Sequence, residues 1–288
     1  MHPQKLVDGI DKLVSLPDVC VKVNRLADSP NYSAVGVGEI IAQDTDLSAR
    51  LLCLVNSAFF GMQAPVDTIS RAVTVIGTNE LRNLVMATVA ARVFTGVPGD
   101  LVDMAEFWRY SVTTGVIARD LAGRCRVLHG ERLFVMGILH DIGRLVIYLR
   151  LAEQARDILL ITGGDDSLLA ETERDLLGFD HMQVGAELLR KWKLPEGLVA
   201  VVGSHHHPLT AGDYRLEASL VHIATVMANG VMNGFSSDEI FNLIDPAVWE
   251  ISGLTMEDLK STLKDSPAKV AEVMDLVLSP GARSHSSS

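Results

Sequence analysis

Histidine supplies the residues whose type and spacing could do chemistry. Of nine histidines in the 288-residue chain, five fall in one series: His140 followed by Asp141, then His181, then His205-His206 with His207 adjoining. Imidazole and carboxylate together suit iron, manganese, zinc or nickel, and four such ligands from separate helices can close one site. Asp141 sits inside the apolar run from Phe134 to Val146. An ionised carboxylate there is costly unless it is paired, hydrogen-bonded or bound to metal. Structural roles compete with that reading, because a helix C-terminus favours histidine through its dipole alone and a buried polar group can bond to backbone. For His2, His129, His207, His222 and His285 we take the structural role. For His140, Asp141, His181, His205 and His206 as a set, spacing leaves both roles open.

These residues need elements to hold them. Gly137 lies one turn before His140 and Gly143 just after Asp141, so a neighbouring helix or ligand can approach closely there. His181 falls at the first turn of a helix predicted to end near Trp192. His205 to His207 follow the apolar Leu198–Val202 and precede Pro208, at a helix end. The apolar periodicity is helical nearly throughout, as at Leu81, Leu84, Val85, Thr88 and Val89. Ser236 and Glu239 have the spacing of a capping box, and Asn233-Gly234 reads as a helix-ending turn. Thr255 precedes a segment running toward Leu278, which Pro267 should split or kink. No alternating strand pattern stands out, so the expected fold is all-α. The break Gly96-Val97-Pro98-Gly99 suggests an N-terminal helical lobe over 1–95 and a second lobe over 100–235. An acidic helical segment over 236–278 and a disordered tail over 279–288 would follow.

Composition narrows the function classes. Apolar residues make up 48% and charged residues 21%, which excludes a disordered chain. Aromatics at 5% imply an aliphatic core. The 25 basic and 36 acidic residues give a net charge of −11, which disfavours nucleic acid as a partner. Nine acids against three lysines sit within 236–278 alone, most simply a solvated face. Cys20, Cys53 and Cys125 lie in apolar stretches without a CxxC pair, so buried free thiols are expected. With no secretory profile and no apolar run long enough to cross a bilayer, we expect a cytoplasmic protein without membrane attachment. Phosphate-loop, dinucleotide and nucleophile-elbow motifs are absent from the sequence.

Several blocks in fixed order carry a resemblance. They run from about Leu13 to Ala228 and include Leu16-Pro17, Ile41 to Leu52, Val55-Asn56-Ser57-Ala58 through Gly61, and Ile69 to Gly77. Phe107-Trp108, Gly137-Ile-Leu-His140-Asp141-Ile-Gly143, His181 to Ala186, Trp192 to Pro195 and His205-His206 with Pro208 complete the series. The chain resembles the HDOD family, a divergent branch of the HD phosphohydrolases found in bacterial signalling proteins. That resemblance implies a family-specific helical lobe followed by an HD-type helical lobe. Asn56-Ser57 reads as a helix end whose side chains satisfy loose backbone groups.

The related HD-GYP phosphodiesterases hold two metals, and their pattern carries over residue by residue. One metal set matches Asp141, His181, His205 and His206. The other uses the His140-Asp141 pair with a histidine and a late aspartate, where this chain has Tyr110 and Thr225. Glu106, one turn before Tyr110, is a candidate auxiliary ligand. A Gly-Tyr-Pro loop is missing after Pro208. The implied function is a signalling output or scaffold module that binds other signalling proteins through a degenerate HD site, with one divalent metal or none. The alternative is a metal-dependent phosphohydrolase acting on a nucleotide or phosphate ester. No receiver, cyclase or kinase segment is recognisable, so a stand-alone module is expected.

Overall fold

Several helices begin where short polar side chains take the free N–H groups of a first turn. Ser33 accepts from Gly36, Asp44 from Leu47, Thr68 from Arg71, and Asp103 from Ala105 and Glu106. Asp180 with Gln183 and Ser236 with Glu239 form full capping boxes, the second as predicted. In this computed structural model, which describes residues 2–10, 16–27 and 33–278, every regular element is helical. The all-α expectation holds. The predicted tail over 279–288, with His285, lies outside the described residues.

In chain order the first helices are α1 (Pro3–Asp8), α2 (Asp18–Ala27), α3 (Ala34–Ala42), α4 (Thr45–Val55), α5 (Ile69–Ile76) and α6 (Thr78–Val93). Then come α7 (Met104–Arg124), α8 (Glu131–Leu139), α9 (Ile142–Arg150), α10 (Ala152–Thr162), α11 (Leu169–Leu177) and α12 (His181–Lys191). The last are α13 (Glu196–Val202), α14 (Arg215–Met232), α15 (Ser237–Leu243), α16 (Pro246–Ser252) and α17 (Met256–Leu278). By its internal contacts the chain divides into Met1–Ser15 with Val93–Ser266, and Leu16–Arg92 with Pro267–Ser288.

In the second of these units, α2, α4 and α5 pack on α3 around Val23, Ile41, Leu51 and Val73. Asn56 caps α4 and bonds Val66 in both directions, donating to its carbonyl and accepting from its N–H, each at 2.7 Å. Ser57 donates to the Leu54 carbonyl at 2.6 Å. The Asn-Ser pair therefore does architectural work, as its helix-end position implies. The cysteine expectation needs correction: all three are free, but only Cys20 is buried, while Cys53 is exposed and Cys125 half-buried. Cys53 falls between the inward residues Leu51 and Leu54, on the outer face of α4.

The first unit is built on α7, which packs along α8 and α14. A Cβ on Gly137 would stand 2.5 Å from Gly115 Cα, so α7 and α8 touch backbone to backbone. Schellman-type closure ends α14, with Gly234 at φ +74° and Phe235 N–H reaching the Gly230 carbonyl at 2.8 Å. Of the split or kink expected at Pro267, the split does not occur, and α17 runs through it as one helix. The proline ring lies on an exposed face, where the carbonyl freed of its donor can be served by water.

Candidate metal centre

Four helix ends deliver the predicted residues. His140 closes α8 and Asp141 opens α9, so the pair occupies the corner between two apolar helices. His181 is the first residue of α12, behind its Asp180 cap. His205 and His206 sit in the turns that follow α13. Gly143 makes the meeting feasible: a Cβ there would collide with the His181 carbonyl and stand 2.6 Å from Gly185 N. Any larger residue would push α9 from α12, and Asp141 from His181.

The structure brings Asp141, His181, His205 and His206 together, with one donor atom from each within 4.8 Å of the others. Asp141 Oδ1 lies 3.4 Å from the Nε2 atoms of both His181 and His205. The His206 ring centroid is 4.3 Å from that of His205 and 5.2 Å from that of His181. Behind the rings, Nδ1 of His205 faces the Val202 carbonyl at 2.9 Å and Nδ1 of His140 faces the Gly137 carbonyl at 2.7 Å. Nδ1 of His181 faces the Glu173 carboxylate at 2.6 Å. Each of these partners accepts, so Nδ1 carries the proton and Nε2 is left bare. Among the described residues, the buried Nε2 atoms of His140, His181 and His205 find no hydrogen-bond partner. Orphaned buried nitrogens converging on a carboxylate fit a dication, and the outward Nδ1 bonds are the usual support of a ligating imidazole.

Where the resemblance implies a second metal, other groups stand around Asp141. Asp141 Oδ2 faces His140 Nε2 at 3.5 Å and Arg144 Nη1 at 3.0 Å. Arg144 also pairs with Asp166 at 3.3 Å and donates to the Tyr148 hydroxyl at 3.3 Å. Tyr110 stands edge-on to His140, with centroids 5.3 Å apart, and its hydroxyl reaches the Thr225 carbonyl at 3.5 Å. The Thr225 hydroxyl is spent on the Val221 carbonyl at 2.7 Å. Glu106 does not reach this position; it is exposed and pairs with Arg109 at 3.6 Å.

Electrostatics follow from burial and neighbours. Burial penalises the Asp141 carboxylate, yet His140, Arg144 and the other histidines hold its pKa well below the usual range. Burial pushes His140 down to about 4 and His206 well below an ordinary histidine, favouring the neutral, ligating form. For His181 burial also lowers the pKa, but the Glu173 and Asp141 carboxylates outweigh it and the net shift is upward. Burial, with Asp141 and Asp166 adding, lifts the Tyr110 phenol well above its ordinary value, so it stays a neutral hydroxyl.

Of the four clustered residues, His206 alone is partly exposed, and it lines a cavity of about 360 Å³ with Tyr110, Arg174, His222, Thr225 and Phe235. His222 Nδ1 faces the His205 carbonyl at 2.9 Å, a structural bond that steadies the turn. His2 caps α1 and His207 is exposed, each outside the cluster. Sequence reading missed Glu173 and Arg144. The only signal for Arg144 was its place in the His140-Asp141 block; Glu173, in a polar-looking Glu-Thr-Glu-Arg stretch, gave none.

The chain is similar to several known proteins. A candidate phosphohydrolase from Shewanella amazonensis SB2B matches with a TM-score of 0.74 and 28% identity, over 95% of this chain and 98% of that one. An HDOD domain protein of unknown function from Geobacter sulfurreducens shares the fold, with a TM-score of 0.71 and 20% identity over 96% and 99% of the two chains. An uncharacterised protein of Treponema pallidum (strain Nichols) is 27% identical over 224 residues, 77% of this chain and 43% of that protein, so the chain spans under half of that relative. Residues 13–208 match the HDOD domain, a span that takes in α2 to α6, the His140-Asp141 corner, His181 and the His205-His206 turn. With most of its length and all four clustered residues inside that match, the chain belongs to the HDOD family.

Proposed function

We propose that this chain is a signal-transduction output module acting through contacts with other signalling proteins, its HD-type region organised around one divalent transition metal. Asp141, His181, His205 and His206 would hold the ion, and Fe, Mn, Zn and Ni all suit that donor set. When bound, such an ion supplies a Lewis-acid and charge-balancing centre among buried groups. The observation that carries the reading is Arg144. Its guanidinium occupies the side of Asp141 that a second cation would need, while Tyr110 and Thr225 offer no charged ligand there. Hydrolysis by a metal pair clamps attacking and leaving oxygens between two ions about 3.5–4 Å apart. A single ion beside an arginine lacks that clamp.

The cavity beside His206 favours a second reading, a phosphohydrolase working through the single ion on a nucleotide or phosphate ester. A hydrolysis assay on untagged, metal-loaded protein with nucleotide and phosphate-ester substrates separates the two. Output function predicts no turnover above the Asp141→Ala variant. Metal-dependent turnover that Asp141→Ala abolishes with the fold intact would overturn it.

A further inference from the structure

Glu173 is a charge buried for a reason that the four clustered ligands do not themselves explain. It lies on α11, is 1% exposed, and directs one oxygen, Oε2, at His181 twice. That oxygen accepts from the His181 backbone N–H at 2.7 Å and faces Nδ1 at 2.6 Å. The other two buried histidines with bare Nε2 atoms have only neutral backbone carbonyls behind them. A carboxylate costs several kcal/mol to bury, and replacing it by a carbonyl or water would fix the ring at less cost.

We infer that Glu173 is a positioning residue for the metal centre: it fixes the His181 ring, keeps the proton on Nδ1, and raises the donor strength of Nε2 toward the ion. This rests on the metal reading above. A carboxylate behind a ligating histidine strengthens binding, and removing such a partner costs about 10–100-fold in metal affinity. A rival role exists on the same contacts. Glu173 could serve only as an acceptor for the first turn of α12, as Gln183 does on the other side by accepting from Asp180 N–H at 3.2 Å.

Cobalt(II) affinity of the untagged chain, measured in competition with a chromophoric chelator and by the visible Co(II) absorption band, separates the roles. Glu173→Gln keeps an acceptor and loses the charge; it should bind about 10-fold more weakly with a shifted band, and Glu173→Ala about 100-fold more weakly. Gln183→Ala should lower the melting temperature and leave cobalt affinity unchanged. Glu173→Gln binding as tightly as the parent, or Gln183→Ala weakening cobalt equally, would overturn the assignment while leaving the metal centre standing. A parent chain that binds no cobalt would overturn both.

Discussion

Asp141 divides the chemistry of the site between its two oxygens. Oδ1 faces two bare imidazole nitrogens at 3.4 Å, and Oδ2 is paired with Arg144 at 3.0 Å. Removing one partner of a buried ion pair leaves the other charge uncompensated, at a cost of about 3–5 kcal/mol. Arg144→Met should therefore destabilise the metal-free chain by about 3 kcal/mol in urea unfolding, and less when metal is saturating, because the ion then serves Asp141. Equal losses in both states would count against the ion. A second expectation concerns thiols. Burial, with Asp44 adding, pushes the Cys20 thiol up to about 12, so it stays protonated, whereas Cys53 is exposed on α4. Alkylation at mildly alkaline pH, read by mass spectrometry, should label Cys53 and spare Cys20. Histidine is rare enough for its series to stand out, but spacing left the donors' role open, and the resemblance named the set of four. Glu173 was not legible, since a glutamate in a polar helix looks solvated until the tertiary neighbour of His181 is known.

At the scale of elements, the site depends on helices that meet without side chains between them. Gly143 brings the start of α9 onto the first turns of α12. Gly143→Ala should cost about 3 kcal/mol through overpacking against backbone, and should weaken metal binding by parting Asp141 from His181. Chemical denaturation and metal titration check the two effects separately; a variant with full affinity would show that this approach does not set the site. α11 offers a dynamic test. Its buried residues are only Leu169, Ala170 and Glu173, and polar links to Asp180 and His181 fasten it to α12. Stripping the metal should accelerate amide exchange in α11 more than in α7. Local signals foretold much at this scale: the Ser236-Glu239 box, the Gly234 turn and the His181 helix start all lie where short-range chemistry puts them. The unbroken α17 was not foretold, because tolerance of Pro267 depends on which face it occupies.

For the whole molecule, charge and connectivity set the terms. A net charge of −11 repels phosphate backbones, so duplex DNA should give no salt-dependent binding in fluorescence anisotropy. Among the described residues, no helix is long and apolar enough to cross a membrane. Helical class and aliphatic core were readable from composition and period. Which distant segments pack together was not, for α1 joins the unit that resumes at Val93 and α17 ends with the unit that begins at Leu16. No local pattern records such returns. The account as a whole rests on one ion at one place. Elemental analysis of the untagged chain should find about one divalent transition-metal ion per molecule, lost in Asp141→Asn and His181→Ala proteins that remain folded. No metal, two ions per chain, or a single ion that survives both substitutions would contradict it.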